Sequence, residues 1–126
     1  MNWQTHVPIP QYPFSLSRSD RIFTMGSCFA KHMADRLLHY KFSCASNCYG
    51  TLFHPIPLLL NLTDALKQAD IDEALFVERD EIAFHYSCHS SVFAESKYDL
   101  KKKLQDIQSS VVKELKKSKL LILTCL

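Results

Sequence analysis

A chain of 126 residues, 47% hydrophobic and 22% charged, is sized for one folded domain whose core needs no disulfide or metal. A formal net charge of +2 gives no general attraction to nucleic acid, and the longest apolar runs, 56–60 and 120–123, are far too short to cross a membrane. The opening MNWQTHVPIPQYPF has neither the basic start nor the apolar stretch of a signal peptide, and an odd count of five cysteines points to reduced thiols in a cytoplasmic protein.

Residues 1–17 hold Pro8, Pro10 and Pro13 and read as an extended arm, with Trp3, Tyr12 and Phe14 expected to pack on the domain. Residues 21–25 form a short apolar strand that runs directly into Gly26-Ser27-Cys28. Phe29, Met33, Leu37 and Tyr40 then recur at helical spacing as one apolar face, with Lys31, Asp35, Arg36 and His39 on the other side. Residues 42–54 have weak strand character and contain Asn47-Cys48-Tyr49-Gly50. Pro55 and Pro57 suit the first turn of a helix that runs to about Ala69. Residues 74–78 and 82–86 predict a hairpin around Arg79-Asp80-Glu81. Ser96 and Asp99 resemble a capping box at the start of the clearest helix, apolar at Leu100, Leu104, Ile107, Val111 and Leu115. The run 120–126 predicts a buried parallel strand. It reaches the last residue with no turn after it, so the chain is expected to be the first part of a longer α/β domain.

Glycine is scarce. Gly26 and Gly50 are the only two, where average usage would supply about nine. Gly26 falls at the strand-to-helix turn, which presents its side chains at the carboxyl edge of a sheet, where open α/β folds bind ligands. The helix N-terminus adds free N–H groups that can hold an oxyanion or favour a thiolate. Ser27 and Cys28 are both candidate nucleophiles there. His85, Cys88 and His89 cluster after the hairpin, and Cys44 and Cys48 lie close in sequence. Their irregular spacing, without a paired Cys-x-x-Cys, predicts no metal. His85 reads as structural, His54 as a packing residue at a helix start, and Cys44 and Cys125 as small buried hydrophobes.

Gly26-Ser27-Cys28-Phe29-Ala30 after an apolar strand resembles the signature of the GSCFA family. Asn47-Cys48-Tyr49-Gly50-Thr51-Leu52-Phe53-His54-Pro55 is similar to the family's second block, His89-Ser90 to its His-Ser block, and the opening Thr5-His6-Val7-Pro8-Ile9-Pro10 also fits. That family is similar to the SGNH (GDSL-like) hydrolases. The resemblance implies an incomplete three-layer flavodoxin-like sheet with flanking helices and a small hairpin. It implies a nucleophile at Cys28, which keeps the Gly-x-nucleophile spacing; a second frame makes it Ser27. Gly50 takes the place of an oxyanion-hole donor, together with the Cys28 N–H, and Asn47, His89 and Ser90 would line the substrate cleft. The expected partner is a small-molecule or carbohydrate ester, with no cofactor, nucleic acid or membrane involved; the oligomeric state stays open. The superfamily's Asp-x-x-His base would fall beyond residue 126. A non-catalytic binding domain and an inactive fragment are the alternative readings.

Overall fold

The computed structural model describes residue 1 and residues 3–125. Its elements are β1 (Arg21–Gly26), α1 (Cys28–His39), β2 (Ser43–Ser46), α2 (Pro55–Lys67), β3 (Phe76–Arg79), β4 (Ile82–His85), α3 (Lys97–Lys117) and β5 (Leu120–Thr124), with a short 3-10 turn at Glu73–Leu75. This is a mixed α/β fold. β1 lies between β2 and β5 and runs parallel to both, while β3 and β4 form a separate antiparallel hairpin.

The uninterrupted apolar character of β1 explains its central place. Side chains alternate across a strand, so a strand covered on both faces needs no polar positions. Ile22 and Thr24 face one way, Phe23 and Met25 the other, and all four are buried. Ile22 packs with Ala34 of α1 and Cys44 of β2. Phe23 and Met25 pack with Leu58, Leu62 and Ala65 of α2 and Val111 of α3. Helices therefore cover both faces of the sheet.

Local chemistry sets the ends of these elements. His54 caps α2, its Nδ1 accepting the Ile56 N–H at 3.2 Å just ahead of Pro55. Ser96 caps α3, its Oγ accepting the Asp99 N–H at 3.1 Å. Asp80 and Glu81 both adopt positive φ, as a two-residue hairpin loop requires. The hairpin packs Phe76 and Ala83 onto Leu100 and Leu104, so the first half of α3 has its own small core. Arg21 forks onto Glu114 through Nε and Nη2 at 2.7 and 2.8 Å and fastens the start of β1 to the end of α3.

Four expectations are corrected here. The seat of α1 is its small stripe, Ala30 and Ala34, each fully buried, while Phe29 and Tyr40 are more than half exposed. Small side chains let the helix backbone approach the sheet, close enough for Thr24 Oγ1 to donate to the Ala30 carbonyl at 3.1 Å. The bulky stripe instead borders an open groove with Phe42. The aromatic arm is not seated on the domain as expected: Trp3 is 87% and Tyr12 64% exposed, and among the described residues it is fastened near its end, where Phe14 and Leu16 border Leu120 and the Lys119 ammonium reaches the Ser15 carbonyl. β5 is parallel as expected, but it is an edge strand and not a buried one; Leu121 and Leu123 are 38% and 41% exposed. Cys125 is likewise exposed rather than buried. Leu126, the last residue of the expected strand, lies outside the described residues.

Candidate active site

The site grows from the carboxyl end of β1. β1 and β5 run parallel side by side; α1 leaves β1 on one face of the sheet, and α2 and α3 pack on the other. Gly26 has φ +134, and a Cβ there would sit 1.8 Å from the Thr124 carbonyl oxygen, so only glycine fits. The close approach is used at once. The Ser27 N–H donates to the Thr124 carbonyl at 3.0 Å and to Thr124 Oγ1 at 3.1 Å. Ser27 Oγ and Thr124 Oγ1 share a further bond of 2.9 Å.

Ser27 and Cys28 are thereby separated in role. Ser27 is buried and its hydroxyl is engaged with Thr124. It stands at the N-cap of α1 without capping it. Cys28 is the first helical residue and its side chain is exposed. The Cys28 and Phe29 N–H groups belong to the first turn, where no carbonyl lies one turn back to receive them, and among the described residues none accepts them. An exposed thiol and two free N–H groups thus share the positive end of the α1 dipole.

The second block is bolted onto this turn. Asn47 Oδ1 accepts the Gly26 N–H at 3.0 Å, and the Leu52 N–H donates to the Gly26 carbonyl at 2.7 Å. Asn47 itself takes a left-handed φ of 44. The Gly50 N–H closes the turn by donating to the Asn47 carbonyl at 2.8 Å, so it is engaged within its own loop and does not stand free as an oxyanion donor. Gly50 is required for another reason. Its φ is +77, and a Cβ would meet that of His89 at 2.5 Å. The His89 N–H donates to the Tyr49 carbonyl, which brings the His-Ser block against the second block. His89 Nδ1 accepts the Ser91 N–H at 3.1 Å and lies 2.9 Å from the Ser91 hydroxyl.

Gly26, Asn47, Gly50 and His89 are therefore one connected backbone constellation beside Ser27 and Cys28. Ser90 is not part of it; it lines a separate hollow under the hairpin with Val77, Phe84 and Cys88. Three contributors were missed in the sequence. Thr124 anchors Ser27, and its signal was a lone hydroxyl in an apolar run. Ser91 orients His89. His32 lies four residues after Cys28 on α1, exposed, with its Cβ about 5–6 Å from that of Cys28 by helix geometry. Burial pushes the Cys44, Cys48 and Cys88 thiols above their ordinary range and keeps them protonated and inert.

A model of the GSCFA family matches residues 21–125, from the start of β1 through the end of β5 and beyond the arm that carries Thr5 to Pro10. No curated protein and no solved structure matches the chain.

Proposed function

The chain belongs to the GSCFA family, and from that premise we propose that it is an acyl-transferring esterase, SGNH-like in fold and mechanism, with Cys28 as nucleophile. One observation carries the choice: Ser27 is buried and bound to Thr124, whereas Cys28 is exposed at the first position of α1. The Cys28 thiolate adds to the carbonyl carbon of an ester. The negative charge that develops on the carbonyl oxygen is held by the Cys28 and Phe29 N–H groups. Collapse of that intermediate breaks the ester C–O bond, releases the alcohol with a proton, and leaves a thioester on Cys28. Water or an acceptor hydroxyl then takes the acyl group. The imidazole that the described chain offers for the thiol proton is His32, one helical turn from Cys28. Asn47 and Gly50 fasten the second block beside the turn that carries Cys28. An acetylated carbohydrate is the substrate that analogy with the fold suggests.

Hydrolysis of p-nitrophenyl acetate tests this reading. Cys28→Ala should abolish it, and Ser27→Ala should retain it at lowered stability. Activity that survives Cys28→Ala and dies in Ser27→Ala transfers the role to Ser27. His32→Gln should slow the acylation burst by roughly 10²-fold or more if His32 is the base. One observation favours a non-catalytic binding domain instead: among the described residues Cys28 Sγ has no hydrogen-bond partner. A wild-type chain with no acylation burst at all would select that second reading.

A further inference from the structure

The outer flank of α1 holds a groove of about 320 Å³. Phe29, Met33, Leu37 and Tyr40 line it along the helix, and Phe42, just beyond the helix, adds to its far end. From Phe29 to Tyr40 the lining runs about 16 Å at the rise of an α-helix. Among the described residues no carboxylate or amide side chain lines it. The Arg36 guanidinium lies over the Tyr40 ring, 5.6 Å from its centre. Phe29 and Tyr40 are 59% and 53% exposed. In soluble proteins a contiguous apolar strip left open to water marks a binding surface.

Two of the lining residues already belong to the site at Cys28. Phe29 follows the thiol directly and carries the second free N–H of the first turn. His32 lies one helical turn on from Cys28. The groove is therefore continuous with the nucleophile and runs away from it along the same helix. Its chemistry selects what extends there. Sugar hydroxyls need donors and acceptors in return, and burying them on Met33, Leu37 and Phe42 would leave them unpaired. An alkyl chain needs neither, and gains from each methylene removed from water.

We infer that this groove takes an unbranched, medium-length alkyl chain carried by the molecule that reacts at Cys28. Within the esterase reading, on which this rests, the chain is the acyl half of the substrate and is longer than the acetyl group that the fold suggests.

Thiol alkylation tests the groove without drawing on ester hydrolysis. N-ethyl-, N-butyl- and N-hexylmaleimide carry one electrophile on tails of increasing length. Cys125, the other exposed thiol, is not among the groove residues and reports the intrinsic reactivity of each reagent. Peptide mass spectrometry reads the rate at Cys28 relative to Cys125, and that ratio should rise at least about tenfold from ethyl to hexyl. Met33→Gln keeps the length and helix propensity of the side chain and should remove most of the rise. Leu38→Gln, exposed on the same helix but outside the groove, should keep it. A flat ratio in the folded wild type overturns the inference, and so does a rise that Met33→Gln leaves intact. A flat ratio in a dimer that Met33→Gln returns to monomer, by sedimentation velocity, overturns it in favour of a second copy on the groove. The kcat/KM for p-nitrophenyl hexanoate should exceed that for the acetate at least about tenfold. Equal values overturn the longer acyl chain and leave the esterase reading standing. Tail-selective alkylation with neither ester hydrolysed overturns the esterase reading and leaves the groove as an alkyl-binding surface.

Discussion

Gly26 shows how tightly one residue is constrained. Its positive φ and the 1.8 Å approach of a would-be Cβ to Thr124 leave no rotamer or small shift that admits a side chain, because the obstacle is backbone. Gly26→Ala should cost at least about 3 kcal/mol, measured by urea unfolding, and should separate β1 from β5 at the site. The thiols divide just as sharply. Cys28 and Cys125 are exposed, whereas burial raises the Cys44, Cys48 and Cys88 thiols. At about pH 8, iodoacetamide should modify the first two in minutes and spare the other three until the chain unfolds, as read by peptide mass spectrometry. Uniform labelling of all five would contradict the described burial. These residue-level constraints were half legible. A lone glycine before Ser-Cys signalled the turn, but its partner Thr124 lies 98 positions away in sequence, and no local pattern joins the two.

Among the elements, the junction of β1 and α3 has the strongest polar fastening. The Arg21 guanidinium holds the Glu114 carboxyl below its ordinary value of 4.5, mainly by direct hydrogen bonding, and both side chains are mostly shielded from water. A carboxyl with a depressed folded-state pKa stabilises the fold fully above its unfolded-state value, and that contribution fades as pH falls through the lower folded-state value. Glu114→Gln should therefore cost about 1–2 kcal/mol at neutral pH and flatten stability against pH only on the acid side, below about 4.5. Thermal melts of both proteins between neutral and acid pH check it, and a constant difference down to strong acid would contradict the ion-pair account. Helix starts and the hairpin turn were readable in advance, since Ser96, Pro55 and the Arg79-Asp80-Glu81 segment act through neighbours within a few residues. The seat of α1 was not. Periodicity identifies the bulky stripe at Phe29, Met33 and Leu37, yet a helix laid on a parallel sheet is stabilised by close approach, and that favoured Ala30 and Ala34.

At the scale of the molecule, among the described residues the sheet ends on β5 with one flank unpaired and with Leu121 and Leu123 on the same face as Phe23 and Met25. An apolar edge strand of this kind is a template for pairing with another strand. The 126-residue chain should associate as its concentration rises, and Leu121→Lys with Leu123→Lys should return it to monomer, as measured by sedimentation velocity. A monomeric wild type at high concentration would show that the edge is too short or too twisted to pair.

Composition, spacing and capping residues were enough to place the α/β alternation, the turn at Gly26-Ser27-Cys28, the hairpin and the long third helix. Each of these depends on interactions within a few residues or on a periodic apolar pattern. The family blocks were legible for a related reason: close backbone approach at Gly26 and Gly50 leaves a glycine where nothing else fits. Only the tertiary structure decided that Ser27 is anchored and Cys28 free, that the Gly50 N–H serves its own turn, and that Ser90 lines a separate hollow. Those outcomes depend on which strand lies beside β1 and which loop lies over its end, and contacts between distant segments leave no mark in the local order of residues.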